Sequence, residues 1–137
     1  MVNRRYMLDT NTCIYLIKYR ADALYRRMST IPVEDVTGSG IVAAELWYGI
    51  ALSRKKRQNE AALKDFLGYV DVLDWPYEAG PVYGRIRAHL KEKGTPIGAM
   101  DLLIATHALF LGAVLVTDNT REFERVPDLK LANWLRR

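Results

Sequence analysis

Residues 99–118, AMDLLIATHALFLGAVLVTD, decide the predicted fold. Residues 99–111 are almost entirely apolar, which is typical of a buried helix, and Gly112 is placed to end it. Residues 113–117, AVLVT, form a continuous apolar run of the kind found in strands that are buried on both faces of a sheet. The stretch therefore predicts a buried helix that leads directly into a central, buried strand, with Asp118 just beyond its end.

The rest of the chain alternates short strands with helices. Strands are predicted at residues 6–8, 36–39, 70–73 and 129–132, and helices at 10–19, 22–28, 41–53, 59–69 and 77–93. Either Thr10 or Asn11 is predicted to cap the first of these helices. This alternation favours a parallel sheet covered by helices on both faces. We therefore predict an α/β fold in which residues 1–137 form one domain.

The composition excludes several classes of protein. The chain has 137 residues, of which half are hydrophobic and about a quarter charged, so a disordered chain is not expected. A single cysteine, Cys13, cannot form an intramolecular disulfide or a cysteine zinc site. The net charge of +4 is compatible with a nucleic-acid partner but does not require one. We expect a cytoplasmic protein without a membrane partner, since no apolar run reaches the length of a span and no signal peptide is recognisable.

Four acidic residues stand among apolar neighbours: Asp9, Glu45, Asp101 and Asp118. Asp9 and Asp118 follow predicted strands, whereas Glu45 and Asp101 lie on predicted apolar helices. Each position alone has an ordinary structural explanation as a helix cap, a first-turn acid, a turn residue or a solvated side chain. Together they are less easily explained, because ligand sites in parallel α/β folds lie at the carboxyl ends of the strands.

Clustered carboxylates favour a bound cation. They repel one another unless a positive charge neutralises them. Oxygen ligands without histidine or cysteine select hard ions such as Mg²⁺ or Mn²⁺. Such ions are suited to hydrolysis at phosphorus, and surface lysine and arginine side chains can hold a nucleic-acid backbone beside them.

Four sequence motifs carry a family resemblance. They are residues 7–14, MLDTNTCI; 44–49, AELWYG; 97–105, IGAMDLLIA; and 115–119, LVTDN, followed by Phe123. In order and spacing they resemble the VapC-type PIN-domain ribonucleases, the toxins of type II toxin–antitoxin systems, from one end of the chain to the other. The resemblance implies a three-layer α/β/α PIN domain with a central, mostly parallel sheet.

The resemblance also implies an activity and its residues. It implies Mg²⁺-dependent endonucleolytic cleavage of structured RNA by metal-assisted hydrolysis, which inhibits translation. Asp9, Glu45 and Asp101 match the three acidic metal-site residues of the family. Family members often carry a further acid two places after the residue equivalent to Thr117, a place that holds Asn119 here.

The fourth position of the site is therefore open. Either Asn119 acts as a neutral ligand or water anchor, or Asp118 supplies the charge. Thr117, and with it Asn11, is expected to orient a ligand or a bound water.

The resemblance further implies partners. These are a cognate VapB-type antitoxin, a second copy of the chain in a homodimer, and RNA; the first motif is most similar to the group that cuts initiator tRNA. The basic run Arg54, Lys55, Lys56 and Arg57 either contacts the RNA backbone or is a solvated loop between helices.

Three alternatives remain. A receiver domain would need an acceptor aspartate where this chain has its basic run. A haloacid-dehalogenase-type phosphatase would need a second aspartate two residues after Asp9, where Asn11 stands. The third is a PIN fold with a decayed metal site that serves as an RNA- or protein-binding module. His107, outside the acidic positions, is expected to be a core or helix-surface residue.

Overall fold

A computed structural model describes residues 5–19 and 22–135 of the chain. It contains five short strands and seven α-helices within those ranges. The strands are β1 (Tyr6–Leu8), β2 (Val36–Ser39), β3 (Asp71–Leu73), β4 (Val114–Val116) and β5 (Leu131–Ala132). The helices are α1 (Thr10–Ile14), α2 (Asp22–Ser29), α3 (Gly40–Leu52), α4 (Lys56–Tyr69), α5 (Gly80–Glu92), α6 (Ala99–Leu111) and α7 (Thr120–Phe123).

The strands form one parallel sheet in the order β3-β2-β1-β4-β5. β1 is at the centre, with Leu8 opposite Val116 of β4 and Met7 opposite Thr37 of β2. Helices flank this sheet, which confirms the predicted α/β architecture. Because every strand runs in the same direction, all the carboxyl ends lie along one edge, and the residues that follow them are brought together there.

The core lies between the sheet and its flanking helices. All three residues of β4 are buried, as the apolar run predicted. Gly112 adopts a left-handed conformation with φ 69° at the end of α6, so the chain can turn directly into β4. The largest fully buried side chains are Phe123, Met7, Leu8, Leu16, Leu24, Leu63, Ile86, Leu90, Ile104 and Leu115.

His107 is a core residue. It lies on α6 with 1% of its surface exposed, and its Nδ1 is 2.9 Å from the hydroxyl of Ser39. Burial lowers the pKa of His107 and thereby favours the neutral ring. Ser39 also accepts the backbone N–H of Ile41 and thereby caps α3, so the histidine supports the start of that helix.

Several predicted boundaries differ from the observed ones. Residues 77–93 divide into a 3-10 turn, Tyr77–Ala79, and α5, in which Pro81 lies in the first turn. The first helix ends after Ile14 and continues as a π-helical segment, Tyr15–Tyr19. α4 begins earlier than predicted, at Lys56. β5 begins later, at Leu131, and is preceded by Asp128, which takes a positive φ of 67°.

The prediction that Thr10 or Asn11 caps the first helix is wrong. Asp9 is the cap, and its carboxylate accepts the backbone N–H of Thr12 at 2.9 Å. Among the described residues, no helix is both long enough and apolar enough to cross a membrane.

Candidate active site

Asp9 and Thr117 follow the two central strands side by side. The backbone N–H of Asp9 donates to the carbonyl of Val116 at 3.0 Å, which extends the β1–β4 pairing by one residue. The Thr12 hydroxyl donates to the same carbonyl at 3.1 Å. Parallel pairing therefore brings the end of β1 next to the end of β4 and fixes the backbone at this point.

Asp9 is a buried carboxylate with 4% of its surface exposed. Burial raises the pKa of Asp9, hydrogen bonds from Thr117 and Thr12 lower it, and the charge of Asp118 raises it again. The net direction is upward, so the folded protein disfavours the ionised form. A bound cation would reverse this, because an opposite charge stabilises the carboxylate.

Glu45 reaches the same edge from α3. The helix starts directly after β2, and Glu45 lies in its second turn. The hydroxyl of Thr10 donates to Glu45 Oε1 at 2.7 Å. Thr10 is therefore a positioning residue that joins Glu45 to the turn holding Asp9.

Asp101 lies in the first turn of α6. Burial, followed by the charges of Glu122, Glu45 and Asp9, raises the pKa of Asp101 to about 6 from its ordinary 3.8. Because three other carboxylates act on this group, Asp9, Glu45, Asp101 and Glu122 share one negative field. Three of the four predicted residues, Asp9, Glu45 and Asp101, thus belong to one acidic site. The charge of Asp118 raises the pKa of Asp9, so Asp118 belongs to the same site.

Glu122 is a site residue that the sequence reasoning missed. Its Oε2 accepts the side-chain amide of Asn119 at 2.8 Å, and its Oε1 accepts the backbone N–H of Gly98 at 3.2 Å. It lies on α7, a helix of four residues in a stretch where no helix was predicted. The only signal was its position three residues after Asn119, which places both on the same side of a helical turn.

The remaining predicted residues, Thr117, Asp118 and Asn11, differ in their surroundings. Thr117 accepts the backbone N–H of Asn119 at 2.9 Å through its hydroxyl oxygen. Asp118 is half-buried, whereas Asn11 is exposed on α1. In residues 5–19 and 22–135, the side chain of Asn11 makes no hydrogen bond with the acidic residues.

No positive side chain compensates this acidic site within the described ranges. The only ion pair found there joins Lys64 to Glu60 on the surface of α4. In the same ranges, no three His, Cys, Asp or Glu side chains are close enough to hold a metal ion together. The site is thus negative and uncompensated. Its carboxylates are the donor type that fits Mg²⁺, which keeps several waters and binds proteins through one or two carboxylates.

The basic run is exposed and lies between α3 and α4. Arg54 and Lys55 lie in the connection, whereas Lys56 and Arg57 begin α4. Glu45 and the end of α3 at Leu52 are separated by roughly 10 Å of helix rise. The run is therefore within reach of a nucleic acid whose backbone passes the acidic site.

Four aromatic side chains, which in principle could stack on RNA bases, fall into a partly buried and an exposed pair. Trp75 donates to the carbonyl of Leu103 at 2.9 Å and packs edge-on against Tyr83, with ring centroids 6.2 Å apart. These two rings support the fold. Trp47 and Tyr48, by contrast, are exposed on α3 at 37% and 66%.

A parallel sheet of this order with an acidic carboxyl edge is the architecture of a PIN domain, and the PIN domain family model matches residues 6–129. The chain belongs to this family, and within it to the VapC-type ribonucleases, since curated VapC relatives match it over nearly its full length.

Two curated relatives illustrate the similarity in sequence. "Ribonuclease VapC2" of Rickettsia felis is 43% identical over 130 residues, covering 94% of this chain and 97% of the relative. "tRNA(fMet)-specific endonuclease VapC" of Salmonella typhimurium is 40% identical over 130 residues, covering 95% and 98%.

Solved complexes containing related chains superpose closely. VapBC2 from Rickettsia felis, bound to a DNA fragment from its promoter, matches with a TM-score of 0.90 at 42% identity, covering 94% of this chain and 98% of that one. DNA-bound VapBC from Salmonella typhimurium matches with a TM-score of 0.91 at 40% identity, covering 96% and 98%.

Proposed function

We propose that the chain is a Mg²⁺-dependent endoribonuclease toxin that cuts tRNA, with initiator tRNA as its substrate. The observation that carries the proposal is the negative field at the carboxyl edge, where Glu122, Glu45 and Asp9 act on Asp101 and no cationic side chain of the described residues pairs with them. Such a site repels phosphate unless a metal ion is bound, and with one it attracts phosphate.

The chain's own residues hold and orient the reactants. Asp9 and Asp101 would hold the ion, and Glu45, fixed by Thr10, would complete the negative side of the site. When bound, Mg²⁺ or Mn²⁺ supplies the positive charge and Lewis acidity that phosphodiester hydrolysis requires. Hydrolysis of this kind leaves a 3′-hydroxyl and a 5′-phosphate. Cleavage through the 2′-hydroxyl is disfavoured, since His107 is buried against Ser39 and contacts none of these carboxylates.

The names of the relatives support the proposed substrate. The Salmonella typhimurium relative is named for action on tRNA(fMet), and the first motif of this chain favours the same group. The test is cleavage of purified initiator tRNA beside an elongator tRNA at equal concentration. Preferential cleavage of initiator tRNA supports the substrate assignment. Equal cleavage of both would contradict that assignment while leaving the ribonuclease activity intact.

The basic run contributes to RNA binding in this account. Replacing Arg54 and Lys55 with glutamine should raise KM for RNA and reduce its salt dependence, while leaving kcat nearly unchanged, because the two side chains contact the backbone but not the reacting phosphate. Measuring KM at two salt concentrations checks this. The matched control is glutamine at Arg26 and Arg27, an exposed basic pair on α2. An unchanged KM in the Arg54 and Lys55 variant would favour the solvated-loop interpretation.

An antitoxin of the VapB type is the second proposed partner, because the solved relatives are VapBC complexes. A largely apolar groove of about 530 Å³ supports this proposal. It is lined by Leu16, Ile17, Tyr25, Met28, Val33, Ala62, Asp65, Phe66 and Tyr69. Partner helices commonly bind such grooves through apolar anchors.

Tyr69 provides the test of the groove, because it is 72% exposed and its replacement should not disturb the core. Tyr69→Arg should weaken binding of a cognate VapB-type antitoxin by about tenfold, through loss of an aromatic contact. Titration calorimetry measures the affinity, and Tyr77→Arg, at a 90% exposed tyrosine outside the groove, is the control. Equal affinities of the two variants would place the antitoxin elsewhere.

A homodimer is the third proposed partnership. An apolar stripe on α3 supports it, formed by Ala44, Trp47, Tyr48, Ala51 and Leu52, all of them exposed. Their spacing places them on one face of the helix. Tyr48→Lys should convert a dimer into a monomer in light scattering, because a charge would be buried in the interface. A Tyr48→Lys protein that remains dimeric would show that the stripe is not the contact.

A further inference from the structure

Asn119 stands at the N-cap position of α7 but does not cap the helix. Its side chain makes no capping hydrogen bond to the backbone of the first turn. Its amide Nδ2 instead donates to Glu122 Oε2 at 2.8 Å. Asparagine at this position usually serves the helix backbone. The observed contact instead orients a carboxylate, and it leaves the first turn of α7 without that support.

Glu122 is held at both of its oxygens. While Oε2 accepts from Asn119, Oε1 accepts the backbone N–H of Gly98 at 3.2 Å. Gly98 is the N-cap residue of α6, three residues before Asp101. Arg125 adds a second link to the same loop, through a hydrogen bond from Nη1 to the carbonyl of Pro96 at 3.0 Å. The contacts of α7 and of Arg125, which follows it, therefore connect the segment after β4 to the start of α6.

The same contacts fix a negative charge beside Asp101. Gly98, whose N–H Glu122 accepts, lies against Asp101, since a Cβ built on Gly98 would be 3.6 Å from Asp101 Oδ2. Each Glu122 oxygen uses one lone pair for its N–H donor and retains another. A neutral amide at 119 is also required by this geometry, because a second carboxylate 2.8 Å away would repel Glu122.

We propose that Asn119 is a positioning residue that fixes Glu122 at the acidic site, so that the pair supplies one oriented carboxylate beside Asp101. This inference rests on the proposed function. It also answers the question that the sequence left open: Asn119 acts through Glu122 rather than as a ligand in its own right, and Glu122 supplies the charge.

The experiment compares Asn119→Ala, Glu122→Gln and the double variant N119D/E122Q with the native chain. In the double variant the donor and the acceptor exchange places, so the hydrogen bond and the single charge are both retained. Asn133→Ala is the matched control, because Asn133 also follows a strand but, among the residues that the structure describes, its side chain bonds only the N–H of Leu135. The readouts are Mn²⁺ affinity of the metal-free protein by calorimetry and kcat and KM for RNA cleavage.

We expect Asn119→Ala and Glu122→Gln each to weaken Mn²⁺ binding by about tenfold and to lower kcat with little change in KM. The double variant should recover most of the loss caused by Glu122→Gln. A role confined to holding α7 would lower the unfolding temperature without changing Mn²⁺ affinity, and would overturn the inference.

Three other outcomes also decide the question. Native-like Mn²⁺ affinity in Asn119→Ala, or a double variant no better than Glu122→Gln, would overturn the inference while leaving the ribonuclease assignment in place. A native chain that neither binds Mn²⁺ nor cleaves RNA would overturn both. The two failures are thereby distinguished.

Discussion

Asp9→Asn should lower the rate of RNA cleavage by roughly 100- to 1,000-fold, the range expected for loss of one electrostatic element of an active site. The substitution removes the negative charge of the most buried carboxylate in the site. Asparagine keeps a side-chain oxygen that can accept the N–H of Thr12, so the cap of α1 should survive. Single-turnover cleavage of tRNA measures the effect.

The control for Asp9→Asn is Asp71→Asn. Asp71 is exposed at the first residue of β3, which places it at the opposite edge of the sheet from the carboxyl ends. This variant should cleave at the native rate. Thermal unfolding of both variants verifies that they are folded. Native-like cleavage by folded Asp9→Asn would remove Asp9 from the mechanism.

Asp101→Asn should stabilise the metal-free protein while abolishing cleavage. The pKa of Asp101 is about 6 in the folded chain and near 3.8 when unfolded, so between these pH values the folded state binds more protons. The free energy of unfolding therefore falls as the pH rises from about 4 to 6 and stays lower above that. Removing the ionisable group at pH 7.5 removes this destabilisation.

The expected gain is on the order of 1 kcal/mol, allowing for solvent screening at this half-buried site. This corresponds to a rise in Tm of about 3–5 °C for a chain of this size. At pH 4 the two proteins should unfold at similar temperatures. Thermal unfolding in EDTA at both pH values tests this. A native chain that is the more stable of the two at pH 7.5 would contradict the account of the site as an uncompensated negative field.

Mg²⁺ should raise the Tm of the native protein, because a ligand that binds only the folded state stabilises it by mass action. The increase should be reduced in Asp101→Asn, since one proposed ligand is lost.

The sequence predicted the centre of the fold well because its signals were local. The run Ala113–Thr117 was long, apolar and bounded by Gly112, and it is observed as the buried strand β4. Asp9 and Asp101 could be singled out because a carboxylate beside an apolar run is unusual. The position of Asp9 followed from the direction of parallel strands, whereas Asp101 was expected on a helix facing the same crevice.

The roles of Thr10 and Glu122 could not be predicted from the sequence, because they depend on contacts between residues far apart in the chain. Thr10 was predicted as a possible helix cap, yet its hydroxyl donates to Glu45, 35 positions along the chain. Glu122 was not singled out, and its contact with Gly98, 24 positions earlier, links it to the start of α6. Neither partner is encoded in a local pattern, so both required the folded structure.

The ribonuclease assignment is tested by incubating the purified chain, free of antitoxin, with total bacterial RNA in Mg²⁺ or in EDTA and sequencing the new 5′ ends. We expect a few discrete ends that carry a 5′-phosphate, appear with Mg²⁺, and are absent in EDTA and in Asp9→Asn. RNA that remains intact in Mg²⁺ with folded protein would contradict the assignment and favour a PIN fold that binds RNA or protein without cutting.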